Sequence, residues 1–173
     1  RKHMKKAILL IVVLCTLNNL LAQWNNAPVT VDATGDVGRY TSMAIVNGHP
    51  AISYYDNTND DLKFIRADNA DGSSWTTSAQ TLDATGDVGQ YTSMAIVNGH
   101  PAISYYDVTN GDLKFIRADN ADGSSWTASA QTLDATDDVG FYTSMAIVNG
   151  RPAISYYDNT NFDLKFIRAD NAD

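Results

Sequence analysis

Apolar residues in this chain come in bursts too short for helices. Tyr40–Val46 is rich in strand-forming residues and stops at Asn47-Gly48, a dipeptide that favours a tight hairpin. Pro50–Tyr55 follows and is broken by the turn-forming run Asp56 to Asp60. Leu62–Ala67 is a third burst, closed by Asp68 to Ser73, and Trp75–Leu82 is a fourth. Beyond the N-terminus no stretch carries apolar residues at the helical period. The pattern predicts four short antiparallel strands. In the first, Met43, Ala44, Ile45 and Val46 run without a polar break, as in strands covered on both faces. Small Ser42 and Ala44 suit a crowded inner position, whereas Thr, Ser and Gln in the fourth strand fit a half-solvated outer one.

The same text recurs every 51 residues, opening at Asp32, Asp83 and Asp134. Residues 32–82 and 83–133 differ only at Arg39/Gln90, Asn57/Val108, Asp60/Gly111 and Thr77/Ala128. The third copy runs to Asp173 and holds three of the four strands. A fixed period with four short strands per repeat predicts an all-β protein of β-propeller blades, stacked as an incomplete ring. The blades fall at about 40–82, 91–133 and 142–173. Trp24 lies 51 residues before Trp75, so 23–31 reads as a fourth strand without a blade of its own, able to complete a last blade. Three blades cannot close a ring. The expectations are a fragment of a longer protein or, as the alternative, a homodimer that completes six blades.

Met4 to Leu14 reads as a secretory signal with a cut after Ala22, making 1–22 a signal peptide and 23–173 the repeat domain. Arg1, Lys2 and His3 precede the expected start. The apolar run is too short and interrupted for a transmembrane span, and Leu14 before Cys15 argues against a lipoprotein box. The chain is therefore expected to be secreted or at the cell surface. Without 1–22 it has eight basic and twenty acidic residues, a net charge of −12, and every acid is Asp. That balance excludes nucleic acid and anionic membranes as partners, because phosphate contacts need basic patches.

Asp68-Asn-Ala-Asp-Gly-Ser-Ser-Trp75, repeated at Asp119–Trp126, resembles the Asp-box of sialidase-type propellers, Ser-x-Asp-x-Gly-x-Thr-Trp. Here the Asp is displaced by one and Asp68 replaces the leading Ser. The resemblance implies a hairpin between a blade's third and fourth strands, with Gly allowing the turn and Trp packing beneath it. The repeat also resembles SMAIVNGxPAISYYDxTNxDLKF arrays of large secreted bacterial proteins. Sialidase catalysis would need a Tyr–Glu pair and three converging Arg; no Glu is present, and Arg66, Arg117 and Arg168 share one repeat position suited to pairing with Asp on the next blade. A glycosidase using two Asp is conceivable, but nothing in the sequence selects a pair.

His49, His100 and Arg151 share a hairpin position and read as turn residues rather than metal ligands. No cofactor is expected. Calcium is the one candidate, through Asp56–Asp61 and Asp68–Asp71, although turn chemistry accounts for the same residues. Substitutions between copies concentrate on one rim, formed by the loops joining strand four to strand one and strand two to strand three. Its candidate ligand-binding residues are Arg39, Tyr40, Asn57, Asp60, Gln90, Tyr91, Phe141, Tyr142 and Asn159. Aromatic faces beside Asn, Asp and Arg can hold sugar rings, and repeated weak sites gain by multivalency. Tyr54 and Tyr55 alternate across their strand and are assigned to packing between blades.

The expectation is a secreted, non-enzymatic propeller segment, without catalytic residues, that binds a glycan or an extracellular protein. The alternatives are a non-catalytic fragment of a larger sialidase-like glycoside hydrolase, or a purely structural array.

Overall fold

The computed structural model describes residues 27–172. The predicted signal peptide and Trp24 lie outside them. The described residues form strands joined by turns, with no helix. The first sheet holds β1 (Val37–Val46), β2 (His49–Asp56), β3 (Asp61–Arg66) and β4 (Gln80–Asp83). The second holds β5 (Val88–Val97), β6 (His100–Asp107), β7 (Asp112–Arg117) and β8 (Gln131–Asp134). The third has three strands, β9 (Val139–Val148), β10 (Arg151–Asp158) and β11 (Asp163–Arg168). Every pairing is antiparallel between sequence neighbours. The first strands β1, β5 and β9 lie side by side at the centre, so each sheet is a blade running outward.

Two boundaries differ from the sequence reading, each for a local reason. The first strand starts at Val37 rather than Tyr40. Two successive β-bulges, at Gly38 (φ 88°) and Tyr40 (φ 53°), keep it paired with β2 from Val37↔Asp56 through Arg39↔Tyr55 to Ser42↔Ser53. The fourth strand is shorter than 75–82 because the Asp68 carboxylate takes its first donors. It accepts the Thr76 amide at 2.6 Å, the Ser74 hydroxyl at 2.8 Å and the Thr77 hydroxyl at 2.9 Å. Those bonds fold Ser74–Thr77 back over the turn, and pairing with β3 begins only at Gln80. Residues 27–31 form no strand either, while 23–26 lie outside the described residues.

The hydrophobic core lies between blades. Val46, Leu62 and Phe64 of the first blade meet Val88, Met94, Ile103 and Tyr105 of the second. Val97, Leu113 and Phe115 of the second meet Val139, Met145, Ile154 and Tyr156 of the third. Fully burying side chains of this size stabilises by about 1.5–3 kcal/mol each. The approach is close enough to require glycine: a Cβ on Gly89 would stand 2.7 Å from Leu62 Cα, and one on Gly140 2.9 Å from Leu113 Cα. Gly38 holds the same repeat position on the open face of the first blade, where nothing lies within 4 Å.

A polar lock sits inside each apolar junction. At the second blade, Lys114 Nζ lies 2.8 Å from Asp83 and 3.5 Å from Asp107, and the buried Tyr105 hydroxyl donates to Asp83 at 2.6 Å. Lys165 repeats this with Asp134 at 2.6 Å and Asp158 at 3.7 Å, joined by Tyr156. On the open face of the first blade, Asp32 meets Tyr54 at 2.5 Å and Lys63 at 3.8 Å. Burial alone would raise the pKa of Asp134, but the Lys165 and Tyr156 contacts outweigh it and hold the group at about 2. For Asp32, hydrogen bonds from Thr34 and Tyr54 outweigh burial in the same way, again giving about 2. Asp83 is also depressed, with Lys114 and Tyr105 overcoming the burial penalty. Among the described residues, no buried side-chain nitrogen or oxygen lacks a partner.

Two outcomes are expected. Gly89→Ala costs about 1–3 kcal/mol more in urea denaturation than Gly38→Ala, because only the former overpacks a junction; equal losses would refute the close approach. The depressed carboxylates contribute stability that is complete above their unfolded value near 3.8 and is lost as pH falls from about 4 to about 2. For Asp134 this amounts to roughly 2 kcal/mol. The urea midpoint should be flat from pH 7 to 5 and fall steeply below 4, and an unchanged midpoint at pH 2.5 would contradict the lock.

Candidate functional site

The strand-four-to-one and strand-two-to-three loops of each blade come together on one rim. Asn57, Val108 and Asn159 donate their amides to the carbonyls of Asp36, Asp87 and Asp138, each at 2.9 Å. In return the Asp36 and Asp87 amides donate to Thr58 and Thr109 hydroxyls at 2.7 Å, and Asp138 to Thr160 at 3.0 Å. Neighbouring blades join along the rim where the Val88 amide donates to the Asp60 carbonyl and Val139 to Gly111, both at 2.9 Å.

On this scaffold Tyr40, Tyr91 and Tyr142 form a row. Their ring centroids are 4.4 Å apart between the first two and 4.5 Å between the last two. All three sit in left-handed backbone, with φ of 53°, 54° and 52°. For a bulky side chain that conformation costs on the order of 1 kcal/mol or more per residue. Tyr55, Tyr106 and Tyr157 form a second tier, 6.1 to 6.3 Å from their row partners. Phe141 packs on Tyr106 at 4.1 Å and reaches Tyr91 at 5.5 Å. Burial raises the Tyr91 phenol above its ordinary pKa, and hydrogen bonding with Tyr40 and Tyr142 adds to the rise.

Polar groups flank the row and differ from blade to blade. In the first blade Arg39 donates to Asn57 at 2.9 Å and to Asp36 at 2.6 Å, and Asn57 donates to Asp36 at 2.9 Å. In the third, Asn159 donates to Asp138 at 2.9 Å. At the first junction the Tyr55 hydroxyl lies 2.8 Å from Asp60 and 2.9 Å from Asp87. Gln90 also bonds Tyr55 there, and burial followed by the two carboxylates raises the Tyr55 phenol. At the second junction Gly111 replaces Asp60, and Tyr106 donates to Asp138 alone at 2.6 Å. One hydroxyl, whose single proton two carboxylates share, thus breaks the repeat symmetry at a single junction of the described residues.

All nine sequence-selected residues therefore lie on this rim. Tyr55 and Tyr106 pack between blades as expected, but they also anchor the rim carboxylates. Asp36, Asp87 and Asp138 were missed. They do not vary between copies, so a search for variation passes over them; the recurrent Asp-Val-Gly before each first strand was the available signal.

The other candidates act in turns. His49 and His100 donate from Nδ1 to the carbonyls of Ala67 and Ala118, at 2.9 and 3.0 Å. Asp56 accepts the amides of Thr58 at 3.0 Å and Asn59 at 3.2 Å. No cluster of three or more His, Cys, Asp or Glu suited to a metal occurs among the described residues. Gly72 takes φ 70° in the Asp-box-like turn, and Trp75 Nε1 donates to its carbonyl at 2.7 Å. Arg66 acts electrostatically on Asp122 of the next blade and lowers its pKa, behind the larger effect of the Ser124 hydrogen bonds.

No family model matches the sequence, and no curated protein matches it significantly. Solved structures do match. An exo-β-1,3-galactanase from Phanerochaete chrysosporium, in a variant bound to β-1,3-galactotriose, superposes on 74% of this chain and 32% of its own, with TM-score 0.52 at 12% identity. The same enzyme with galactose covers 77% of this chain and 32% of its own, with TM-score 0.50 at 11% identity. The chain shares the β-propeller fold of a glycoside hydrolase. It spans about a third of the galactanase's length. These matches bear out the propeller, while the sialidase relation rests on the Asp-box-like motif alone. They also correct the expectation of a non-enzymatic segment, since both of these matched structures are of an enzyme. The absence of Glu weighed too heavily in that expectation, because a partial set of blades need not carry every catalytic group.

The tyrosine environment gives a direct check. Six of the nine tyrosines (Tyr54, Tyr55, Tyr91, Tyr105, Tyr106 and Tyr156) are shifted upward, with burial the largest cause in each. Their folded pKa values exceed the unfolded ones, so their contribution to stability is full below about pH 10 and is lost as pH rises through the shifted values. In an absorbance titration at constant circular dichroism, they should remain protonated at pH 11. Nine phenolates in a still-folded chain at that pH would refute the arrangement.

Proposed function

We propose that this chain forms part of a secreted, carbohydrate-processing β-propeller of the glycoside hydrolase type, and that its tyrosine rim is the sugar platform. The row of Tyr40, Tyr91 and Tyr142 carries the proposal. Glycine or asparagine would make the same left-handed bend at less cost, so the bulky aromatic has a use that offsets its strain. Aromatic faces of this kind stack on the CH-bearing faces of sugar rings. Arg39, Asn57, Gln90 and Asn159 supply hydrogen bonds to hydroxyl groups around them. Asp60 and Asp87, held together by Tyr55 beside the platform, are the carboxylates best placed to act on a glycosidic bond, which requires two such groups close together. The fold shared with galactanases supports this class of ligand.

The test is calorimetric titration of the chain with β-1,3-galactotriose and a panel of plant-type oligosaccharides. Binding is expected for at least one member and should weaken about tenfold or more in Tyr91→Ala, in line with the roughly 1–2 kcal/mol of an aromatic stacking contact. Circular dichroism of the variant should be unchanged. No binding by the folded wild-type chain, or undiminished binding by Tyr91→Ala, would remove the rim from consideration.

A further inference from the structure

The two blade junctions on the rim are chemically unlike. Gln90 and Phe141 share one repeat position, and Asp60 and Gly111 share another. The first pair sits on the inner strand of the following blade, and the second in the preceding blade's strand-two-to-three loop. Both nevertheless converge on one second-tier tyrosine at each junction. At the first junction the Tyr55 hydroxyl lies 2.8 Å from Asp60 and 2.9 Å from Asp87, and Gln90 bonds it as well. At the second, Gly111 and Phe141 take the places of Asp60 and Gln90, and Tyr106 keeps Asp138 alone at 2.6 Å. Both junctions lie between described blades.

The two exchanges belong together. Phe141 packs on Tyr106 at 4.1 Å and reaches Tyr91 at 5.5 Å and Tyr142 at 6.3 Å. A carboxylate at position 111 would lose water beside that ring without gaining a partner there, and glycine removes it. At the first junction Gln90 instead keeps both carboxylates among polar neighbours. Phe141 is only half-buried, so part of its ring stays at the surface beside the tyrosine row. Gln90 is half-buried and Asp60 exposed, so the polar set of the first junction is open as well.

The consequence for a docked sugar differs between the two. Hydroxyl groups over the first junction meet carboxylate, phenol and amide partners. A hydroxyl pressed against Phe141 gives up water and gains no partner, whereas a methyl group there gains by burial. The tyrosine row advances 4.4 and 4.5 Å from blade to blade, close to the step of one pyranose residue along a chain. Neighbouring sugars therefore meet neighbouring junctions.

We propose that the rim takes a mixed glycan in one direction, with a fully hydroxylated residue at the first junction and a methyl-bearing, 6-deoxy residue against Phe141 at the second. This rests on the tyrosine row being the sugar platform. Gln90 and Phe141, with Asp60 and Gly111 behind them, are then the specificity-determining residues.

The experiment is calorimetric titration of the chain with three trisaccharides: β-1,3-galactotriose and its two counterparts carrying a 6-deoxy residue at one end or the other. One counterpart is expected to bind about tenfold more tightly than the parent, the scale of one methyl group in an apolar site, and the other no better than the parent. Phe141→Gln should remove the preference while the parent still binds. Asp60→Gly combined with Gln90→Phe should make the first junction apolar, so that the second counterpart gains as well. That double variant reproduces a combination the chain already carries at its second junction, and circular dichroism of both variants should match the wild type. Equal affinity for all three sugars, or a preference that survives Phe141→Gln, would overturn the asymmetry and leave the tyrosine platform standing. Binding of none of the three by the folded chain overturns the inference, and the wider oligosaccharide panel with Tyr91→Ala then shows whether the platform falls with it.

Discussion

Between successive blades an ammonium group sits among two carboxylates and a phenol, mostly shielded from bulk water. Lys114 holds Asp83 from the preceding sheet and Asp107 from its own, with Tyr105 closing the set. Taking such charges from water is costly, and the arrangement is tolerable only because each group finds its partners. The surrounding contacts among Val, Leu, Met and Phe have no comparable directionality and could slide. The lock admits one registration of sheet on sheet, since displacement by a residue would leave a charge buried and uncompensated. Tyr91 reaches Tyr40, and Asp87 reaches Tyr55, only because the sheets are held in that registration.

The inner strands show how rigid framing and local strain combine. Gly38 and Tyr40 each insert an extra residue into β1, turning the side chain of Tyr40 toward its neighbours at the end of the stack. Past the bulge the strand returns to ordinary pairing, with Ser42 accepting the Met94 amide of the next blade at 2.9 Å. The tyrosine row is therefore held by backbone on one side and by hydroxyl–carboxylate bonds of the second tier on the other. On the proposed reading, a surface held this way needs little reordering when a sugar docks on it.

Much of the fold was legible in the sequence because local and global signals agree. Asn47-Gly48 marks a hairpin, unbroken apolar runs mark strands buried on both faces, and the 51-residue period marks blades. The misjudged boundaries are places where one side chain competes with the backbone ladder. Asp68 diverts the amide that would have extended β4, and Tyr40 occupies a conformation that its residue type disfavours. The site was half legible. Variation between copies led to Arg39, Asn57 and Phe141, but the Asp residues that organise them are identical in every copy and looked like turn formers. The glycoside hydrolase alternative came from the Asp-box-like motif, whereas the likeness to the galactanase was not legible in the residues, because at 12% identity it lies in the path of the backbone rather than in the order of residues.

Each blade presents one surface forward and its complement backward, and neither carries information about how many blades the stack should contain. Stoichiometry must then come from curvature: units add until the arc returns on itself. For a gene built of 51-residue cassettes, gaining or losing a whole cassette leaves every junction chemically valid, and only the angle of closure registers the change. The fold is modular in the strict sense that its parts can be counted by geometry alone.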